Sequence, residues 1–226
     1  MIKRLMNIAL LVALALNASA ATRDVRAGGS IQQTLDACSA GDTVIVHEGT
    51  YNETIVLKDG VSIIGQGEVI LDGKGMKTRL ISCVGDCQKE TVVENIIVQN
   101  ARHNERGGGV WLRGKVTMRH CVVRGCSGVL CGGVLIKGDL PEASALGARL
   151  EECVIHNCTA TGHEWPDAGG VANFDGTLTE CVIANNYGDR YGGIHSESSV
   201  YDCTMWGNVN EYGFVDPTNY VRQALY

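Results

Sequence analysis

The chain has 226 residues, with 19 Lys and Arg against 25 Asp and Glu, 29 Gly, 10 Cys and few aromatic residues. An acidic balance of this kind argues against nucleic acid and anionic membrane surfaces as partners. Abundant glycine with little aromatic content disfavours a helical bundle.

Residues 1–20, MIKRLMNIALLVALALNASA, carry Lys3 and Arg4, an apolar run from Ile8 to Leu16 and a small-residue ending. That is the pattern of a secretory signal peptide cleaved after Ala20. The run is too short to span a bilayer, and no later stretch is apolar enough to do so. The mature chain then has 17 basic and 25 acidic residues, a formal charge of −8. Its length suits one domain, taken as residues 21–216 with 217–226 as a tail or cap. Export places it outside the cytoplasm, as a secreted, periplasmic or cell-surface protein whose cysteines meet an oxidising compartment.

Ser30 to Cys38 (SIQQTLDAC) reads as a short amphipathic helix. Ser30 and Gln33 form a capping box, and Ile31, Leu35 and Cys38 share one side. It is expected to cover the open first turn of a repeat, as terminal repeats require. From Gly41 onward, short β-branched runs such as ValIleVal at 44–46 and IleIleVal at 96–98 are broken by Gly, Asn and Asp, without a 3.6-residue period.

A phrase then recurs. With Cys121 as position zero, Asn95, Cys153, Cys181 and Cys203 fall into register. Val92, Met118, Leu150, Leu178 and Val200 stand three residues before, and Ile97, Val123, Ile155, Ile183 and Met205 two after. Five after stand Asn100, Cys126, Cys158, Asn186 and Asn208. Glycine pairs followed by Val or Ile recur between the phrases, at Gly108, Gly132, Gly169 and Gly192. A constant phrase at variable spacing describes one structural turn with loops of changeable length. Stacked turns set each strand parallel to its copy about 4.8 Å away. The expected fold is therefore all-β: a parallel β-solenoid of roughly eight turns with a short N-terminal capping helix.

Gly41-Asp42-Thr43-Val44, Gly49-Thr50-Tyr51 and Val61-Ser62-Ile63-Ile64-Gly65 resemble the opening turns of right-handed, single-stranded parallel β-helix proteins of the pectin-lyase-like group. The Gly-Gly-Val and Cys-x-x-x-x-Asn/Cys marks are similar to the repeats of polymorphic outer-membrane and adhesin-like surface proteins. At the far end, Asp216-Pro217 could start a capping helix carrying Tyr220, Val221, Ala224 and Leu225, or the segment could be a ragged end.

The cysteines do not suit zinc, because asparagine replaces them freely and cannot stand in for a thiolate. Disulfides between Cys83 and Cys87, Cys126 and Cys158, or Cys121 and Cys153 fit the stacking distance. A structural role as small inward side chains is the alternative.

Function is expected in the loops that follow the plus-five position. His163, Glu164, Trp165 and Asp167, with Asp189 and Tyr191, suit a sugar site, with an aromatic face to stack on a ring and carboxylates to accept its hydroxyls. Outward residues beside the glycine pairs, among them Trp111, Leu135, Ala172 and His195, suggest a stripe for an extended glycan or an ordinary sheet face. Lyases of this fold use a basic residue to abstract a proton while Ca²⁺ neutralises a uronic carboxylate. That resemblance implies Arg102, Arg106, Lys137 or Arg190 as base and Asp167, Asp175 or Asp189 as cation ligand. The Asn-Thr-Asp, Asp-Asp and Gly-His-Gly marks of the group's hydrolases do not occur. The leading expectation is a secreted or surface β-helix that binds polysaccharide or cell-surface glycan without a catalytic signature or cofactor. A polysaccharide lyase, with Ca²⁺, and a module of a larger adhesin are the alternatives.

Overall fold

A computed structural model describes residues 20–74, 76–104, 107–138, 147–162, 167–212 and 220–223. Every strand pairing in it is parallel and joins one turn to the next, which makes the chain a parallel β-helix. Sheet 1 stacks Thr22–Val25, Thr43–Tyr51, Ser62–Asp72, Cys87–Glu94, Gly114–Arg119, Arg149–Glu151, Thr177–Thr179 and the end of Ile194–Tyr201. Sheet 2 runs through Ile97–Gln99, Val122–Arg124, Val154–His156, Val182–Ala184 and Thr204–Trp206. Sheet 3 runs through Ile55–Leu57, Ile81–Cys83, Val110–Leu112, Val134–Ile136, Val171–Asn173 and the start of Ile194–Tyr201. A short ladder, Ser127–Gly128, Thr159–Ala160, Tyr187–Gly188 and Val209–Asn210, fills the corner between sheets 2 and 3.

The register corrects one segment of the repeat. Val122 pairs with Ile97 and Met118 with Val93, so Cys121 stacks on Ile96 and not on Asn95. Asn95 and Asn100 are exposed, while Ile96 and Ala101 are buried. A one-residue slip moves every side chain to the other face, and the sequence alignment of that segment had slipped by one. In the true register the residue before position zero is Asn95, His120, Glu152, Glu180 or Asp202. The residue four after it is Asn100, Gly125, Asn157, Asn185 or Gly207. All ten have positive φ, between 50° and 63°. Two left-handed corners thus bracket each strand of sheet 2. The second is made only by asparagine and glycine, the residues that enter this region at least cost.

Between the corners lie two inward columns. The zero column is Ile96, Cys121, Cys153, Cys181 and Cys203, and the plus-five column is Ala101, Cys126, Cys158, Asn186 and Asn208. In the latter each polar side chain donates to the same carbonyl of the turn before. Cys126 Sγ meets Val98 O at 3.9 Å and Cys158 Sγ meets Val123 O at 3.7 Å; Asn186 Nδ2 meets Ile155 O at 3.0 Å and Asn208 Nδ2 meets Ile183 O at 2.8 Å. Thiol and amide are interchangeable there because each brings one donor to one buried acceptor. Asparagine adds an acceptor: Asn186 Oδ1 takes Cys158 N–H at 2.9 Å, and Asn208 Oδ1 takes both Asn186 N–H and Nδ2–H at 3.0 Å.

All ten cysteines carry free thiols. The neighbouring Cys121 thiol pushes the Cys153 pKa up to about 12, and Cys153 does the same to Cys181. Both thiols therefore stay protonated and serve as donors. The glycine pairs mark the other tight place. A Cβ on Gly132 or Gly169 would run into the carbonyl oxygen of Gly169 or Gly192 in the next turn, so only glycine lets the backbones stack there.

The N-terminal helix spans Ile31–Asp36, inside the expected 30–38, with Ile31 and Leu35 buried. Ser30 Oγ accepts Gln33 N–H at 3.1 Å as the capping box requires. Glu53, from the turn below, accepts Ile31 N–H at 2.7 Å and Gln32 N–H at 3.1 Å. The Gln32 amide accepts from Val56 N–H at 2.7 Å and donates to Val56 O at 3.4 Å. It thereby imitates the rung that sheet 3 lacks at this end. At the opposite end the expected helical lid is not formed by residues 220–223, which extend as strand Tyr220–Gln223 along Ile194–Tyr201. An open sheet edge offers unpaired backbone groups that an extended segment satisfies directly. Asp216 and Pro217 lie outside the described residues.

Asn186→Ala removes the acceptor of the buried Cys158 N–H and the donor to Ile155 O, and should cost roughly 1–3 kcal/mol in urea unfolding. Asn186→Cys, which restores the donor, should recover part of the loss. A second expectation concerns acid. Asp42 accepts Ser39 N–H at 2.8 Å and Ala21 N–H at 2.7 Å, and these bonds hold its pKa below the ordinary carboxylate value. The resulting stability is present above the unfolded pKa of about 4 and is lost as pH falls through the lower folded value. Urea midpoints of wild type and Asp42→Asn should therefore differ at neutral pH and converge in strong acid.

Candidate functional site

The loops that follow the corner ladder stack on one another, tied by the bridges Cys131↔Ala168 and Ala168↔Tyr191. They deliver Asp167, Asp189, Arg190 and Tyr191 to neighbouring positions. Asp167 is fully buried in a left-handed corner (φ 55°), and its carbonyl accepts Tyr191 N–H at 3.2 Å. Asp189 is 5% exposed. Burial pushes the Tyr187 hydroxyl up in pKa, and the carboxylates of Asp189 and Asp167 push it further.

Beside this acidic corner opens a cavity of about 480 Å³ lined by Asp189, Arg190, Tyr191, Glu211 and Tyr212. Tyr212 is 72% exposed, and the Glu211 carboxylate beside its hydroxyl raises its pKa. Both phenols are therefore hydroxyl donors at neutral pH. The cavity joins two turns and combines an aromatic face, carboxylate acceptors and a guanidinium donor.

The outer face of sheet 3 behaves differently from the expected stripe. Leu135, Ala172 and His195 point outward yet are 1%, 0% and 0% exposed, forming a second apolar cluster with Cys131 and Ala168 under Trp111, Phe174 and Tyr191. A sheet buried on both faces loses the polar alternation of a solvated one. Its aromatic rings are already engaged: Arg79 and Arg113 lie 4.7 and 5.0 Å from the Trp111 ring centre, and Lys137 lies 4.8 Å from that of Phe174. The His195 ring sits 5.6 Å from Phe174 and 5.2 Å from Tyr191, with Nε2 3.5 Å from Glu197. Burial lowers its pKa against the opposing pull of Glu197. This face is a packed layer and offers no open stacking platform.

No family model matches the chain, and no curated protein sequence matches it. Among solved structures it is similar to the crystal structure of pectate lyase Pel9A, with a TM-score of 0.61 at 12% identity. The match covers 90% of this chain and 58% of that one, so the chain spans little more than half the length of that structure. The fold is the right-handed parallel β-helix. At this identity the likeness shows the fold alone.

On that β-helix the residues singled out from sequence separate into distinct places. Asp189, Tyr191 and Arg190 come together at the cavity, with Asp167 buried behind it. His163, Glu164, Trp165 and Arg106 lie outside the described residues. Asp175 stands at the other end of the strand Val171–Asn173 from Asp167, so the three proposed cation ligands do not converge. There Asp175 accepts Gly138 N–H at 2.6 Å. Burial raises its pKa, and the nearby Asp86 adds to the effect. Among the described residues no group of three or more His, Cys, Asp or Glu is arranged to hold a metal ion. Lys137 packs on Phe174, and Arg102 belongs to another groove. Glu211 and Tyr212 were missed because they follow the last repeat, where no later copy marks them as a loop.

Arg113 and Asp86 form an ion pair at 3.2 Å with both side chains 6% exposed. Arg113→Met should lower stability by about 3–5 kcal/mol by leaving a buried carboxylate uncompensated. Adding Asp86→Asn should restore much of it, as read from thermal melts.

Proposed function

We propose that the protein is an exported β-helix that binds carbohydrate through the cavity of its last two loops. The observation that carries this reading is the exposed Tyr212 ring standing with Tyr191, Asp189, Glu211 and Arg190 around one open cavity. Sugar rings present apolar faces that stack on aromatic rings and hydroxyls that bond to carboxylates and guanidinium groups. The structural neighbour that shares this fold is itself a pectate lyase. Export agrees with the N-terminal contacts, since cleavage after Ala20 would turn Ala21 N–H into a charged ammonium 2.7 Å from the Asp42 carboxylate. No helix among the described residues is long and apolar enough to cross a membrane.

A second reading is lyase chemistry at the same cavity. It is favoured by the side-by-side placement of Arg190 with Asp189 and Glu211, a guanidinium and carboxylates from two turns.

Titration with a panel of neutral and uronic-acid oligosaccharides should show binding that Tyr212→Ala weakens roughly tenfold and that Asp189→Asn also weakens. Unchanged affinity in both variants would remove the cavity as the site. Incubation of wild type with uronic-acid polysaccharides, with and without Ca²⁺, distinguishes the two readings. Binding without growth of the ultraviolet absorbance of an unsaturated product supports binding alone, whereas Ca²⁺-dependent growth abolished by Arg190→Gln establishes the lyase.

A further inference from the structure

A second cavity begins two turns away, on the corner between sheets 2 and 3 at the middle of the coil. Its volume is about 530 Å³, and Lys74, Met76, Lys77, Asn100, Ala101, Arg102, Gly125 and Ser127 line it. These residues come from three successive turns, so the groove runs along the axis of the helix. Among the described residues that line it, three side chains are cationic and none is a carboxylate. Lys74, Lys77 and Arg102 are all exposed, on a chain whose formal charge is −6.

Among the described residues, Asp72 is an acid beside this corner, and its carboxylate attracts the Lys74 ammonium. Its oxygens accept Asn100 Nδ2–H at 2.9 Å, Gln99 Nε2–H at 3.1 Å and Lys74 N–H at 3.0 Å. Further positive charge flanks the opening: Arg79 contacts His103 at 3.3 Å, and Arg124 donates to Gln99 Oε1 at 2.7 Å. Arg102 is fixed from behind, because its neighbours pair with the next turn through Ser127 N–H to Ala101 O at 2.8 Å and His103 N–H to Ser127 O at 3.0 Å. Like charges gathered on one groove repel each other, and they raise the local potential for an anion.

We infer that this groove is a binding site for a polymer carrying sulfate or phosphate esters, such as a sulfated or phosphorylated glycan. Two lysine point charges and one guanidinium fork present more donors and charge than a single carboxylate can match with two oxygens. A sulfate or phosphate ester offers three free oxygens to the same three heads. An axial groove crossing three rungs suits a chain with repeated charges and not an isolated ion. The site shares no lining residue with the cavity around Tyr212, so each stands or falls alone.

The test measures binding of the full chain to dextran sulfate, polyphosphate, polygalacturonate and uncharged dextran at low and high salt. Dextran sulfate or polyphosphate should bind, with affinity falling as salt rises; which of the two binds more tightly separates a preference for sulfate from one for phosphate oxyanions. Lys74→Gln with Lys77→Gln, and separately Arg102→Gln, should each weaken binding by about tenfold or more. Lys89→Gln, an exposed lysine elsewhere, should leave it unchanged. The inference is overturned if neither ester polymer binds, if polygalacturonate binds as tightly as dextran sulfate, or if Lys89→Gln costs as much as the groove variants. Circular dichroism of each variant shows that the fold is retained.

Discussion

Adjacent turns of the coil lie one strand spacing apart, about 4.8 Å, and every inward column must be filled by side chains that accept a near copy of themselves at that distance. Aliphatic residues meet this on the strands, as Val123, Ile155 and Ile183 do. At the corners a polar group is needed, because buried backbone carbonyls there face the interior. The plus-five column meets the need with cysteine or asparagine, each donating to the carbonyl of the preceding turn. The six cysteines of the two inward columns are thus understood first as corner donors and fillers.

The same constraint decides where variation is allowed. The left-handed corners and the Gly-Gly stack hold the path of the backbone, so changes of length fall in the links from sheet 3 to sheet 1, as between Ile136 and Arg149, and in the loops between the corner ladder and sheet 3. Both cavities open on that side of the coil, where side chains are released from the demands of stacking. The cavity at the last loops is acidic and aromatic, while the groove at the middle turns is basic. One face of a regular coil therefore presents two regions of opposite charge along its axis, and each suits a different ligand chemistry.

The outer face of sheet 3 shows how packing can hide a surface that sequence alone leaves open. The runs ValLeuIle at 134–136 and ValAlaAsn at 171–173 read equally as a half-exposed or a doubly buried strand. The structure buries both sides and clamps Trp111 and Phe174 with Arg79, Arg113 and Lys137. Rings engaged in this way stabilise the layer and are closed to a sugar. Among the described residues the most exposed rings are Trp206 and Tyr212, and Tyr212 stands outside the repeats.

The sequence by itself determined the parallel coil, its capping helix and the exchange of cysteine with asparagine, because stacking repeats a local requirement at every turn and so writes it into the chain as a period. It also held the information for the left-handed corners, in the Asn/Gly column at Asn100, Gly125, Asn157, Asn185 and Gly207, once the first segment is set in its true register. Only the tertiary structure decided which loop residues meet. Lys74 and Arg102, or Asp189 and Tyr212, lie more than twenty residues apart and follow no period, since their proximity depends on loop paths and on how far each turn is long. For the same reason it separated Asp175 from Asp167 and Asp189: residues close in sequence leave opposite ends of one strand.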